Sequence, residues 1–312
     1  MKILIAGSGA MGARFGYLLK ESGNDVLFVD TWQDHIDAIN KNGLQRIIDG
    51  VDIGPIHIPA VKPEDVVGHY DLVLLFVKSL QLDDMMQRIT PSLSEDSRVL
   101  CLLNGLGNIE IVEKYVSRDR IYLGMTLWSS GLKGPGVLNA VGSGSIEMQQ
   151  VNNLESDFDA KLLTTLNDAG LNAAYSKDVI QSIWHKVSLN CVLNTYCTLI
   201  DCNIGEYGAY EKHQELTDLI LNEIIAVGKK EGIEVIYDIV ANNIKGVFSP
   251  EKAGGHYPSL YQDIASGRRT EIDALNGAIV KLGEKHGVET PVCKAITLMI
   301  HSKENVNDLR NN

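Results

Sequence analysis

The 312-residue chain has no C-x-x-C pair, and its five cysteines (Cys101, Cys191, Cys197, Cys202 and Cys293) stand at irregular spacing. An odd number so arranged indicates neither a zinc site nor a disulfide scaffold. Free thiols in a reducing cytosol are the expectation. No His, Asp and Glu cluster has metal-ligand spacing, so no metal is expected. No apolar run reaches membrane-spanning length. Met1-Lys2 leads straight into strand-like sequence without a signal-peptide cleavage pattern, so a cytoplasmic protein is expected, with no membrane partner. Positive charge is scarce: Lys and Arg number 28 against 40 Asp and Glu, a formal charge of −12. A phosphate-backbone binder needs the opposite sign, which argues against nucleic acid as a partner. Internal repeats and low-complexity tracts are also missing.

Hydrophobic residues make up 45% of the chain and charged residues 22%, enough apolar material for a sizeable core. The first half alternates strand-like and helix-like segments. KILIAG (2–7), NDVLFVD (24–30), YDLVLLFVKS (70–79), SRVLCLLNG (97–105) and RIYLGMTLW (120–128) read as strands, the longer ones apolar throughout, as for strands covered on both faces. Helical stretches at 11–22, 35–40 and 157–170 lie between or after them, implying βαβ units and a mainly parallel sheet. The glycine-rich segment 131–148 reads as a hairpin-like excursion at the sheet edge. Beyond YSKDV (175–179) the segments 179–200, 213–231, 235–246, 259–265 and 270–286 all read as helices. The expected organisation is a domain over 1–178 and an all-helical one over 179–312, ending in a frayed KENVNDLRNN tail.

GSGAMG (7–12) places Gly7, Gly9 and Gly12 in a G-x-G-x-x-G arrangement, after an apolar strand and at the opening of a helix. In a dinucleotide-binding loop Gly7 permits the tight turn, Gly9 lets backbone approach a pyrophosphate, and Gly12 lets helix pack closely on strand. The N–H groups at the helix start, around Ala10 and Met11, supply anion-binding donors. Asp30 ends the second strand, where a carboxylate accepts hydrogen bonds from adenosine ribose hydroxyls and repels a 2′-phosphate. No Lys or Arg follows until Lys41, which favours NAD(H), with NADP(H) as the alternative. Capping of the next helix is the other use for Asp30.

SIWHKVSLNCVLNTYCT (182–198) is mostly apolar or small, yet Lys186, Asn190 and Asn194 recur every four residues. That spacing stacks them on one side of a helix. The apolar residues occupy most of the remaining circumference, so a largely buried helix with one polar column is expected. Such a column is either a satisfied seam between helices or a ligand-binding face.

With GSGAMG (7–12), VKS (77–79), LLNGLG (102–107), WHKVSLNCVLN (184–194) and HYPSLYQDIASGRRTEIDALNG (256–277) in order, the chain resembles the ketopantoate reductase family over nearly its whole length. The resemblance implies an α/β N-terminal Rossmann domain and an all-α C-terminal domain. It also implies reduction of a ketone beside a carboxylate. Lys186 matches the family's catalytic lysine at the substrate carbonyl oxygen, and Glu271 the acid that contacts substrate or orients that lysine. Asn190, Asn194 and Ser259 match substrate-binding residues. Asn104 matches an asparagine near nicotinamide and substrate, and Lys78 a lysine near the cofactor. Ser259-x-x-Gln262 also reads as a helix cap. Asp30-Thr31-Trp32 stands where many ketopantoate reductases carry a basic residue for the NADPH 2′-phosphate. The resemblance therefore points to the NAD-dependent D-2-hydroxyacid dehydrogenase branch, of the D-mandelate dehydrogenase kind, acting on branched or aromatic 2-oxo acids. The alternatives are 2-dehydropantoate 2-reductase and a non-catalytic NAD-binding sensor. A homodimer is expected from the resemblance only.

Overall fold

The computed structural model describes residues 1–311. The chain separates into two compact units, Met1–Leu103 with Asn108–Val179, and Asn104–Gly107 with the chain from Ile180 on.

The first unit is built on an eight-stranded sheet. Its strands are β1 (Lys2–Ala6), β2 (Asp25–Val29), β5 (Ala60–Val61), β6 (Leu72–Leu75), β7 (Arg98–Cys101), β8 (Ile121–Thr126), β11 (Ile146–Gln150) and β12 (Ala173–Tyr175). They lie in the order β12-β11-β8-β7-β6-β1-β2-β5. All neighbours run parallel except β11, which is antiparallel to β8. Ile3, Leu4, Ile5, Leu72, Val73, Leu74 and Leu75 are fully buried, as strands covered on both faces require. Helix α1 (Ala10–Glu21) follows β1, and α2 (Gln33–Asn42) follows β2.

The segment 131–148 does not sit as one hairpin at the sheet edge. β9 (Ser130–Gly134) and β10 (Val137–Ala140) pair with each other, and β10 also pairs with β3 (Leu44–Ile48), which pairs with β4 (Val51–Ile56). Together they form a separate four-stranded sheet, while β11 returns to the main one. Sequence reading missed β3 and β4 because Gly54 and Pro55 interrupt the alternation of β4 and three consecutive β4 residues are exposed. The Asp49-Gly50 turn that joins them is the signal that could have found them.

The second unit is helical. After α3 (Leu82–Ile89), α4 (Asn108–Val112) and α5 (Asp157–Asp168) of the first unit come α6 (Val179–Ile200), α7 (Ile204–Ala209), α8 (His213–Lys230), α9 (Tyr237–Gly246), α10 (Ser259–Ala265), α11 (Asn276–His286) and α12 (Pro291–Asn311). The segment 270–286 is not one helix: a short 3-10 turn, Ile272–Ala274, precedes α11. Nor do residues 303–311 of the expected tail fray, whereas Asn312 lies outside the described residues. They complete α12, anchored by Lys303 Nζ on the Thr198 carbonyl (2.6 Å), Asn307 Nδ2 on the Ile264 carbonyl (2.7 Å) and the buried Glu304. Its polar composition hid these long-range bonds. No helix among the described residues is long and apolar enough to cross a membrane.

Candidate active site

In the first unit, Gly7 leaves β1 with φ +96°. A side chain there would also press within 2.6–2.7 Å of the Phe76 and Val77 backbone. Gly12 sits so close that a Cβ would lie 1.8 Å from the Gly7 carbonyl oxygen and 3.0 Å from Ile5 Cγ2. At Gly9, which precedes α1, nothing lies within 4 Å of a Cβ position. Two glycines close the loop onto the strand and one leaves space, as a backbone approached by a ligand requires. Ala10 and Met11 begin α1, whose first turn carries no acidic side chain. Lys78 is the residue after Val77, so it stands beside this loop, half-buried.

Asp30 is heavily engaged. Its Oδ2 accepts from the Ser8 N–H (2.7 Å) and Ser8 Oγ (2.9 Å), and its Oδ1 from the N–H groups of Thr31 (2.8 Å) and Trp32 (3.0 Å). The carboxylate ties the glycine loop to the start of α2, but the residue preceding that helix is Trp32, so Asp30 is not its N-cap.

In the second unit, α6 is buried almost all round: Trp184, Val187, Cys191, Val192 and Leu193 are each at most 5% exposed. Ser188 and Thr198 donate to the carbonyls four residues back, at 2.7 and 2.6 Å, which satisfies their buried hydroxyls without leaving the helix. Lys186 and Asn190 are half-buried and Asn194 is buried. Asn194 Nδ2 donates to Ser259 Oγ at 3.1 Å. Ser259 is the first residue inside α10 and makes no capping bond, so the capping reading fails. Its hydroxyl accepts from Asn194, leaving its own proton for another acceptor.

Desolvation pulls the Lys186 ammonium down to about 8, and the Glu271 carboxylate works in the opposite direction. Glu271 is half-buried and stands at the turn before Ile272–Ala274. Its neighbours Arg268 and Arg269 turn elsewhere, Arg268 to Asp263 (3.0 Å) and Arg269 to Glu304 (3.3 Å) and Asp308. The same turn holds the loop carrying Asn104. Gly105 (φ +90°) lies so near Ala274 that a Cβ would come within 2.5 Å of it, and the Leu106 N–H donates to the Ala274 carbonyl at 2.8 Å. Asn104 is thereby brought to the segment that bears Glu271.

Two groups of residues behind these sites escaped sequence reading. Buried Glu304 accepts from the Thr270 N–H (2.7 Å), Thr270 Oγ1 (2.6 Å) and His301 Nδ1 (3.0 Å), while His301 Nε2 reaches Asp273 at 2.9 Å. They brace the Glu271 turn from α12. His35, fully buried, touches the glycine loop. Neither carries a sequence signal, because both depend on long-range contacts.

Residues 3–153 match the family model described as ketopantoate reductase PanE/ApbA, and residues 178–304 match the model for its C-terminal part. A 2-dehydropantoate 2-reductase of Streptococcus pyogenes serotype M3 (strain ATCC BAA-595 / MGAS315) is 39% identical over 98% of this chain and 99% of its own. The 2-dehydropantoate 2-reductase of Lactococcus lactis subsp. lactis (strain IL1403) is 40% identical over 97% and 98%. Among solved structures, the ternary complex of D-mandelate dehydrogenase with NADH and anilino(oxo)acetate is 41% identical, with a TM-score of 0.95 over 99% of this chain and 100% of that one.

Proposed function

As this chain belongs to the ketopantoate reductase family of oxidoreductases, we propose that it is an NAD(H)-dependent D-2-hydroxyacid dehydrogenase, reversibly reducing branched or aromatic 2-oxo acids of the benzoylformate type. The observation that carries the chemistry is Lys186, its ammonium pulled down to about 8 by desolvation against the opposing pull of Glu271. A ketone gaining hydride develops negative charge on oxygen, and an ammonium held there stabilises that charge more than it stabilises the ground state. An acid with a pKa near the working pH can also give up its proton to the forming alkoxide and recover it in reverse. Lys186 fills that role in both directions, with Glu271 favouring its charged form.

The substrate carboxylate is assigned to Asn190, Asn194 and Ser259. Ser259 already accepts from Asn194, so its own hydroxyl proton remains for an anion. Asn104 is assigned to both the substrate and the nicotinamide.

The dinucleotide supplies or accepts the hydride. The loop from Gly7 to Gly12 fits its pyrophosphate: space opens at Gly9, the amides of Ala10 and Met11 begin a helix, and no acidic side chain opposes an anion there. Asp30 is assigned to the adenosine ribose, Ser8 Oγ being a donor that can rotate away without moving backbone. Its carboxylate disfavours a 2′-phosphate, supporting NAD(H) over NADP(H). Lys78 stands beside the loop as a further cofactor contact.

The second reading, 2-dehydropantoate 2-reductase, is favoured by the name of the streptococcal and lactococcal relatives. NADH oxidation by the purified protein, with benzoylformate and ketopantoate compared by kcat/KM, separates the two. Preference for benzoylformate supports the dehydrogenase, and preference for ketopantoate replaces it with the second reading. The proposal includes a homodimer, which sedimentation equilibrium tests: a 34.2 kDa species would remove that part.

A further inference from the structure

Residues 31–34 are exposed, yet His35, next in the chain, is 0% exposed. Both ring nitrogens are occupied. The Gly136 N–H, which can only donate, meets Nδ1 at 2.9 Å, and Nε2 lies 2.8 Å from the Ser8 carbonyl, which can only accept. One tautomer satisfies both: Nδ1 bare, Nε2–H donating to Ser8. The ring face stacks on Trp32 at 5.1 Å, 9° from parallel.

Ser8 lies between Gly7 and Gly9. Its N–H and hydroxyl go to Asp30, and its carbonyl goes to His35. The described chain has no cis peptide bond, and in a planar trans peptide the carbonyl and the next N–H point oppositely. Holding the Ser8 oxygen toward α2 therefore aims the Gly9 N–H away from that helix, and the adjacent Gly9 Cα is open, with nothing within 4 Å of a Cβ position. Gly7 and Gly9 give this loop freedom, and an unheld Ser8–Gly9 peptide could flip. A fixed donor direction is what binding an anion by backbone amides needs.

We infer that His35 is a positioning residue for the dinucleotide loop, orienting the Gly9 amide through the Ser8 carbonyl. The inference rests on the dinucleotide reading of that loop. It predicts a split between two substitutions that differ in which ring nitrogen they imitate. His35→Gln keeps a donor at the Nε2 position and loses the acceptor for Gly136. His35→Asn keeps an acceptor near Nδ1 and loses the donor to Ser8.

NADH affinity is measured by titration calorimetry, alongside KM, kcat and melting temperature. The expected result is NADH Kd within about threefold of wild type for His35→Gln and roughly five- to tenfold weaker for His35→Asn, as loss of one net hydrogen bond implies. The change falls on the KM for NADH more than on kcat. Equal effects in the two variants, or weaker binding by His35→Gln, would overturn the inference, since a merely structural role follows melting temperature and not the retained nitrogen. Nitrogen NMR of wild-type His35 tests it without substitution: a bare Nδ1, with an Nε2–H signal that shifts on NADH addition, is expected. An Nδ1–H tautomer or an unmoved signal overturns it. If wild type binds neither NADH nor NADPH, the dinucleotide reading itself fails; if it binds and the split is missing, only the role of His35 does.

Discussion

At the scale of single residues, the glycine loop separates two roles that one motif combines. Gly12→Ala would press a methyl group into the Gly7 carbonyl, so it should cost about 1–3 kcal/mol or more in stability, read from denaturant melts. Gly9→Ala meets open space and should fold normally while binding NADH less well. Lys186→Ala is expected to cut turnover by orders of magnitude with NADH affinity nearly intact, because the lysine acts at the carbonyl; near-normal turnover would refute its role. The pH dependence has a sign in each direction. Reduction needs the ammonium, so its rate should fall as pH rises through about 8, and oxidation of the hydroxy acid should rise through the same region. Asp30→Ser with Thr31→Arg should move preference toward NADPH. It should also loosen the loop, since Asp30 holds four protein donors; an unchanged cofactor ratio would mean the ribose contact lies elsewhere.

Among elements, α6 was readable because Lys186, Asn190 and Asn194 repeat at helical spacing on an otherwise apolar helix. The brace on the Glu271 turn was not, since its members are some thirty residues apart. Burial would lower the pKa of His301, but its hydrogen bonds to Glu304 and Asp273 carry it above the usual value; burial would raise that of Glu304, but bonds from Thr270 and His301 hold it below. The His301 contribution to stability is thus complete below the ordinary histidine range and is lost as pH rises through its raised value. That of Glu304 is complete above the ordinary carboxylate range and is lost as pH falls through its lowered value. Melting temperature should therefore be highest at intermediate pH and narrow its pH dependence in Glu304→Gln. That variant should cost about 1–3 kcal/mol, because buried Thr270 donors lose a charged acceptor. A flat response would show that the brace carries little energy.

For the whole molecule, the informative segment is Asn104–Gly107, which groups with the helical unit although the chain on either side groups with the sheet unit. N-G in the sequence indicated only a turn. Gly105→Ala would force a left-handed backbone onto a substituted residue and drive its Cβ against Ala274. A stability loss of more than about 1 kcal/mol is expected, with kcat reduced as Asn104 leaves the Glu271 segment. Unchanged kcat would separate that loop from the chemistry.

Sequence by itself determined the fold class: a mainly parallel sheet after a glycine loop, then helices. Apolar runs, glycine spacing and four-residue polar spacing are local, and local patterns dictate which face of an element must be covered. It also marked the chain positions from which the proposed chemistry is drawn. Only tertiary structure decided that 44–56 and 130–140 form a second sheet, that Glu271 sits on a braced turn and not within a helix, and that His35 meets Ser8 and Gly136. Those outcomes depend on hydrogen bonds between residues far apart in the chain, whose partners are fixed by packing and leave no periodic trace in the sequence.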